Sequence, residues 1–286
     1  MGKTIGIVVK PGAPRALAAL ETVAEVAGDA RFLIEASGHH ALDEIPLEAE
    51  RVDPAAMENE SDLLLVFGGD GTLIHAASLL QHRAVPILGI NVGYIGFLTE
   101  VALDEVAKGL EQALAGELPV SERMRLDVRL KLKEQDSVDR VILNDVVLSQ
   151  RHLSRLGTYR ITAGGELVTT LRGDGVIVAT PTGSTAYAMA AGGSILMPGI
   201  DAIAVTPINP HQLTQRQLVL SSSEDIELTI DMETGVLATL DGQSAHEFGV
   251  EDSMQIRKAD VPVLLLSVPW RSYFEMLRTK LNWGNG

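Results

Sequence analysis

Leu63-Leu64-Leu65-Val66-Phe67-Gly68-Gly69-Asp70-Gly71-Thr72 decides how the first part of this chain folds. Leu63 to Val66 is a short apolar run with the length and composition of a strand buried in a parallel sheet. Beyond the glycines, Leu73 to Leu80 carries an apolar stripe and reads as a helix. Strand, glycine-rich turn and helix together aim backbone N–H groups and a helix N-terminus at one point, the geometry that receives a phosphate. The glycines remove side chains where a polyphosphate must come close, and they tolerate positive φ. Asp70 is the odd member. A carboxylate repels phosphate unless it meets a proton, a metal or a sugar hydroxyl, so it suggests chemistry as well as binding. The alternative is a tight turn whose aspartate only caps the helix.

Working outward, Ile5 to Val9 reads as a strand, Pro14 to Ala27 as its helix and Arg31 to Glu35 as a further strand. Asp53-Pro54 opens a short acidic helical piece. Val85 to Asn91 is a second buried-type strand, and it runs into Asn91-Val92-Gly93-Tyr94-Ile95-Gly96-Phe97-Leu98, another glycine-interrupted loop. Asp104 to Leu114 is an amphipathic helix ended by Gly116. This alternation predicts an α/β N-terminal domain, a Rossmann-like open parallel sheet with helices on both faces. Ligands of such sheets sit at the carboxyl ends of the strands, where both glycine loops fall.

Near Pro119 the pattern changes to period two, in segments such as Leu126–Leu132, Thr158–Thr162, Ile226–Ile230 and Val236–Leu240. Many short strands of this kind predict an all-β, sandwich-like C-terminal domain. Val261 to Val268 is apolar on both faces again, and Ser272 to Leu281 reads as a helix packing back on the first domain. The expected division is 1–118, a phosphate-binding α/β domain, then 119–262, β-rich, then 263–286, a returning strand and helix.

Composition narrows the function. The 286 residues are 46% hydrophobic and 21% charged, as in a soluble globular protein. The formal charge of −15 argues against nucleic-acid or anionic-membrane partners, which require a basic face. An anionic small molecule needs only a few local cations and amides. With no cysteine there is neither a disulfide nor a thiol nucleophile. The N-terminal apolar stretch is too short for a signal peptide, and no run approaches the roughly 18 apolar residues of a membrane-spanning helix, so a cytoplasmic location is expected. His39-His40 reads as solvated loop, and no metal-ligand set is expected from the side chains.

Four polar clusters interrupt the β segments. Asn144-Asp145 pairs an amide with a carboxylate, suited to a base edge and a ribose diol, or else marks a bulge or turn. Arg172-Gly173-Asp174-Gly175 sets opposite charges in a glycine hinge, for a ligand or as a structural ion pair. Thr180-Pro181-Thr182-Gly183-Ser184-Thr185-Ala186-Tyr187 places four hydroxyls before the small-residue run Ala188–Gly193, where hydroxyls and amides can donate to a ligand. Leu240-Asp241-Gly242-Gln243, taken alone, reads as an Asp-Gly hairpin turn.

Taken together these segments resemble the NAD kinase family. The resemblance rests on Gly68–Thr72, Asn91–Leu98, Asn144-Asp145, Thr180–Tyr187, Leu240–Gln243 and the Asn209–Arg216 loop, in order along the chain from about Ile5 to Leu281. The glycine motif alone is shared with diacylglycerol kinases, sphingosine kinases and phosphofructokinases. The resemblance implies phosphoryl transfer from ATP, with Mg2+ or another divalent cation, to the adenosine-ribose 2′-hydroxyl of NAD, giving NADP. It implies a site between the two domains and a homodimer or homotetramer. Asp70 is similar to the proposed general base, and the Gly68, Gly69, Asp70, Gly71 and Thr72 backbone would hold phosphates. Asn144 and Asp145 resemble the pair for adenosine and ribose groups, and Asp174 would meet the other end of the dinucleotide. Thr185, Ala186 and Tyr187 would line the adenine and nicotinamide subsites, with Arg172 and Arg155 near phosphate and Gln243 beside them. Phe97, Thr182 and Ala190 complete the nucleotide-binding set. There are departures: Asp145 where many relatives carry glutamate, the loop before Leu213, which reads Pro207-Ile208-Asn209-Pro210, and Gln217 where proline is expected. A lipid or sphingoid-base kinase, and a non-catalytic NAD(H) sensor, are the competing readings.

Overall fold

A computed structural model describes residues 2–36, 46–93, 96–150, 156–232 and 235–283. His39, His40 and Arg155 lie outside the described residues. The chain divides into two compact units, Met1–Glu122 with Val263–Gly286, and Arg123–Pro262.

The first unit is built on one sheet. Its strands are β1 (Thr4–Val9), β2 (Arg31–Glu35), β3 (Ala49–Val52), β4 (Leu63–Gly68), β5 (Pro86–Asn91), β6 (Val101–Ala102), β7 (Val120–Arg123) and β20 (Val263–Leu266). They lie in the order β3-β2-β1-β4-β5-β20-β7, with β6 also on β5. β1 pairs in parallel with both β2 and β4, and β5 in parallel with β4 and β20. The strand order reverses between β1 and β4, so the carboxyl end of β4, where the glycines begin, is a topological switch point.

Helices cover both faces because alternate residues of the strands point opposite ways. Ile5, Ile7, Leu63, Leu65 and Phe67 form one core with Leu20 and Val23 of α1 (Pro14–Ala27) and Val106 and Leu110 of α4 (Val106–Ala115). On the other face a Cβ on Gly6 would lie 2.5 Å from the Met57 sulfur of α2 (Pro54–Glu60), and one on Gly89 would lie 2.9 Å from Leu73 of α3 (Asp70–Ser78). Both helices therefore pack directly on the strand backbone. Past the helix-opening Ser272, α6 (Tyr273–Leu281) buries Met276 and Leu277 within the same unit.

The second unit is a sandwich. One six-stranded sheet runs β15 (Leu218–Ser221), β14 (Ala202–Ile208), β13 (Gly175–Ala179), β10 (Asp145–Gln150), β17 (Val236–Leu240), β18 (Ser244–Phe248). The other runs β12 (Glu166–Gly173), β11 (Gly157–Ala163), β16 (Ile226–Ile230), β19 (Ser253–Lys258), β8 (Leu126–Lys131), β9 (Val138–Ile142). Val128, Tyr159, Leu228 and Ile256 from the second meet Val146, Val176, Ile203 and Ala238 from the first in a continuous core. The outer face of the first sheet is covered as well. Ile177, Ala179 and Ala204 pack there against Ala188 of the single-turn α5 (Tyr187–Ala190), with Ala191 and Leu196 beside it.

One ion pair fixes α3 laterally. His75 Nε2 lies 2.8 Å from Glu35 Oε2 at the end of β2, and Glu35 is buried while His75 is half-exposed. Hydrogen bonding to Glu35 raises the imidazolium above 6.5, against the opposing effect of burial. A histidine raised in the folded state adds stability that is complete below its unfolded pKa and is lost as pH rises through the folded value. The stability advantage of wild type over His75→Gln should therefore be full in mildly acidic solution and shrink as the pH rises above the ordinary histidine range in denaturant titrations. An advantage that grows as the pH rises would contradict the pairing.

Candidate functional site

In the first unit the site begins where β4 ends. Gly68 closes the strand, Gly69 caps α3 in an extended conformation, and Asp70 opens the helix. The tolerance of these glycines for positive φ is not used: Gly68, Gly69 and Gly71 are absent from the left-handed glycines of the described residues. Space is the reason instead. A Cβ at Gly68 would stand 2.2 Å from Thr72 Oγ1, so the fold itself demands glycine there. Cβ atoms at Gly69 or Gly71 would meet nothing within 4 Å. Packing within the chain gives no reason for those two glycines, whereas a ligand pressed against the backbone does.

Asp70 does not cap its own helix; the helix has no side-chain cap. Its Oδ2 accepts the Phe97 N–H and its Oδ1 the Leu98 N–H, each at 2.9 Å, so the carboxylate clasps the second glycine loop. Gly96 is glycine because its Cβ would fall 1.9 Å from Asp70 Oδ1. An ionised carboxylate offers about four lone-pair directions, and two N–H groups leave acceptor capacity for a hydroxyl proton. Phe97 thus joins Asp70 through its backbone. Asn91, at the end of β5, bonds Thr99 Oγ1 and the Gly93 N–H and so steadies the entry to the same loop.

In the second unit the sequence-predicted residues collect around the passage from β9 to β10, which crosses from one sheet to the other through Leu143 and Asn144. Asp241 organises it. Its carboxylate accepts the N–H groups of Leu143 (2.7 Å), Asn144 (2.7 Å) and Asp145 (3.1 Å), while the Asp241 N–H returns a bond to the Asp145 carbonyl. The Asp-Gly hairpin is there too, with Asp241 and Gly242 at φ 51° and 66°. Its carboxylate does more than a turn requires, and the signal available in the sequence was a charged residue beside an otherwise buried strand pair.

Asp145 is 5% exposed, and burial together with the Asp241 charge pushes its carboxyl up to about 7, opposed by the Tyr187 N–H. Burial also raises Asp241, against its three N–H donors and the Arg125 guanidinium. Asn144 Oδ1 and Thr182 Oγ1 are buried and have no hydrogen-bond partner among the described residues. Buried polar atoms ordinarily find partners, so two together at one corner mark where a polar ligand would bind. The Thr180–Tyr187 segment lies against this corner: Thr180 Oγ1 donates to the Leu143 carbonyl at 2.6 Å, and a Cβ at Gly183 would sit 2.1 Å from the Asn144 carbonyl oxygen.

The four hydroxyls divide differently from the sequence expectation. Thr180 bonds Leu143, Ser184 donates to the Pro181 carbonyl and accepts the Leu196 N–H, and Thr185 donates to the Thr182 carbonyl. Ser184 and Thr185 fold the segment on itself, Thr180 ties it to Leu143, and Thr182 is the remaining one. Ala186 and Ala190 flank Tyr187 on the single turn of α5, with Tyr187 and Ala190 exposed; a longer helix is not present there. Gln243 is exposed on the hairpin loop next to Asp241.

Arg172 and Asp174 fall elsewhere in the unit. β10 and β13 pair with Asp145 opposite Ala179 and Ser149 opposite Gly175, so Asp174 stands about 13–17 Å along the strands from the Asn144 corner. Asp174 Oδ2 accepts from Asn209 Nδ2 at 2.9 Å, a partner that the sequence alone did not reveal. Arg172 is exposed, and its carbonyl takes the His211 N–H.

Family models match both parts of the chain, the ATP-NAD kinase N-terminal domain over residues 5–118 and the ATP-NAD kinase C-terminal domain over 143–268. The chain belongs to the ATP-NAD kinase family. It is 40% identical to an NAD kinase of Citrifermentans bemidjiense over 99% of both chains. An NAD kinase of Geobacter sulfurreducens is 43% identical over 78% of this chain and 79% of its own. The fold is similar to that of yeast NADH kinase complexed with NADH, with a TM-score of 0.89 at 25% identity, covering 100% of this chain and 89% of the yeast one. An NAD kinase from Archaeoglobus fulgidus in complex with ATP shares the fold at a TM-score of 0.75 and 24% identity, over 98% of both chains. In terms of the family's two domains, Asp70 and its glycines belong to the N-terminal match, and Asn144, Asp145, Thr182 and Asp241 to the C-terminal one.

The Asp241 clasp makes a measurable claim. Asp241→Ala would leave three backbone N–H groups without their acceptor and should lower the unfolding free energy by at least about 2 kcal/mol in denaturant titrations. Gln243→Ala, two residues away and exposed, should stay within about 0.5 kcal/mol of wild type.

Proposed function

We infer that this chain is an ATP-dependent NAD kinase, transferring a phosphoryl group from ATP to the 2′-hydroxyl of the adenosine ribose of NAD to give NADP. Membership of the family along the chain supports the reaction. The observation that carries the site assignment is the Gly69–Gly71 backbone, open on its outer side around a carboxylate held by two N–H groups.

The first unit supplies phosphate binding and the base. Backbone N–H groups at the α3 N-terminus receive phosphate oxygens, and Asp70 takes the proton as the ribose oxygen bonds to the γ-phosphorus and the bond to the ADP oxygen breaks. No group of three or more His, Cys, Asp or Glu side chains among the described residues is arranged to hold a metal ion. Magnesium in such reactions needs only one or two carboxylates beside the donor's phosphates, which Asp70 fits with its spare lone pairs. When bound, a divalent cation would neutralise phosphate charge.

The second unit supplies recognition. Asn144 Oδ1 accepts from a base edge and Asp145 from ribose hydroxyls, with Thr182 Oγ1 beside them, while Tyr187 and Ala190 line the same subsites. Asp174, about 13–17 Å along the sheet, meets the other end of an extended dinucleotide. Arg172 and Gln243 contribute at the margins, and Arg155 belongs to the set by resemblance. A cytoplasmic homo-oligomer is the proposed working form. The exposed Leu213, Leu218 and Val219 of the second unit favour self-association, and the cysteine-free sequence suits a reducing compartment.

Purified protein incubated with NAD, ATP and magnesium should form NADP, detected with an NADP-specific dehydrogenase. Asp70→Asn should lower kcat by about 100-fold or more with NAD affinity nearly intact. The asparagine accepts one of the two loop N–H groups instead of both, so some thermal stability is lost as well. Equal loss of rate and NAD affinity would make Asp70 a binding residue. NAD binding without NADP formation would favour the sensor reading.

Asp145 predicts a pH signature. A carboxylate accepts from both hydroxyls of a diol, whereas its protonated form gives up part of that capacity. With its pKa near 7, NAD affinity should rise as the pH climbs from about 6 to about 8. In Asp145→Asn, affinity should be weaker and flat over that interval. A wild-type profile that is already flat would remove Asp145 from the diol.

A further inference from the structure

Gln217 stands where the resemblance to the family implies proline, and its side chain has a specific job in this fold. It precedes β15 and is partly buried. Its Oε1 accepts the Ser194 N–H at 2.7 Å, and its Nε2 donates to Thr206 Oγ1 at 2.9 Å. Thr206 is fixed: it is buried in β14 and paired with Ile177 of β13. One amide thus ties a rigid strand to a loop backbone.

The tied loop is the return from α5. The Gly193 N–H bonds the Ala188 carbonyl, Gly192 takes φ 85°, and a Cβ at Gly193 would lie 2.6 Å from Gln217 Nε2 and 2.7 Å from the Ala188 oxygen. The backbone therefore passes so close that the Gln217 amide and the α5 carbonyl fix its path together. Four residues upstream of that carbonyl's turn lies the Ser184 hydroxyl, which holds the far end of the loop through the Leu196 N–H at 2.9 Å. Between these two ties stand Tyr187 and Ala190, and the Tyr187 N–H bonds the Asp145 carboxylate.

We propose that Gln217 is a positioning residue for NAD: by bridging Thr206 to Ser194 it sets the height of the Tyr187–Gly193 segment against Asp145, and so tunes dinucleotide affinity without entering the chemistry. A proline at this position has no side-chain donor or acceptor, and the Ser194 N–H and Thr206 hydroxyl would lose this bridge. This rests on the NAD kinase reading of the second unit.

The test uses the full chain in three forms besides wild type: Gln217→Met, close to isosteric and without either hydrogen bond; Thr206→Val, which removes the anchor; and the two combined. KM for NAD, KM for ATP and kcat are measured, with calorimetric NAD affinity and thermal midpoints alongside. Gln217→Met should raise KM and Kd for NAD about five- to twentyfold, with kcat and KM for ATP within about twofold of wild type. Thr206→Val should move NAD affinity in the same direction, and the double variant should be no worse than Gln217→Met, because both changes break one bridge. Unchanged NAD affinity with a lowered thermal midpoint would make Gln217 a scaffold residue and overturn the proposal. Additive effects in the double variant would overturn the bridge. Wild type that binds NAD but makes no NADP would fell the kinase reading and leave the affinity arm decisive; wild type that binds no NAD overturns both.

Discussion

A chain that leaves one sheet of a sandwich for the other must turn its backbone out of both ladders, and at Leu143, Asn144 and Asp145 three successive N–H groups do so in a buried setting. A neutral side chain offers too few acceptors in the right places. The Asp241 carboxylate accepts all three. Much of the local geometry around Asn144 and Asp145 follows from that contact. Asp145 sits beside the partly buried Asp241 carboxylate and is pushed towards neutrality. Thr180 reaches over to the Leu143 carbonyl, and Gly183 packs on the Asn144 backbone.

The first unit solves a related problem with the same device. Asp70 clasps two N–H groups of a neighbouring loop, and Gly96 is flattened beneath it. In both places a carboxylate shapes a loop through backbone amides, whose positions do not depend on side-chain rotamers. This reconciles a chain of formal charge −15 with anionic substrates. The local field at a glycine turn comes from N–H groups and a helix end, and it is insulated from the net charge by distance and by salt.

Much of the fold was legible because its signals are local. Apolar runs bounded by glycine, proline or asparagine marked β1, β2, β4 and β5, and helix boundaries followed Pro14, Asp53-Pro54 and Gly116. Strands with weak or contradictory local signals were harder to see. β14 carries Pro207, which argues against an interior strand. The Ile208 carbonyl turns towards β13, so Pro207 faces the β15 side, beyond Val205, the last residue that β15 pairs. No ladder bond is lost. β3 and β18 are largely polar edge strands, and β19 alternates too briefly to declare itself. At the site, residue types pointed to Asp70, Asn144 and Asp145. A charged residue beside a buried strand pair hinted at Asp241, but nothing in the sequence showed that it would hold the Leu143–Asp145 backbone, that Asn209 would bond Asp174, or that most of the Thr180–Tyr187 hydroxyls would be consumed internally. Those facts depend on which strands lie side by side.

The place of β20 has a bearing on how the molecule is made. This strand lies between β5 and β7, inside the first sheet, although some 140 residues of sandwich separate it in sequence from the strands it joins. During synthesis the sandwich has all its strands while the sheet that carries Asp70 still has a gap beside β5. The strands up to β7 must wait with apolar edges exposed, and closing that gap late brings a high-contact-order step to the end of folding. The first unit is therefore the last to become whole, so a ribosome-bound chain would complete its sandwich while the sheet beneath Gly68–Asp70 still lacks a strand.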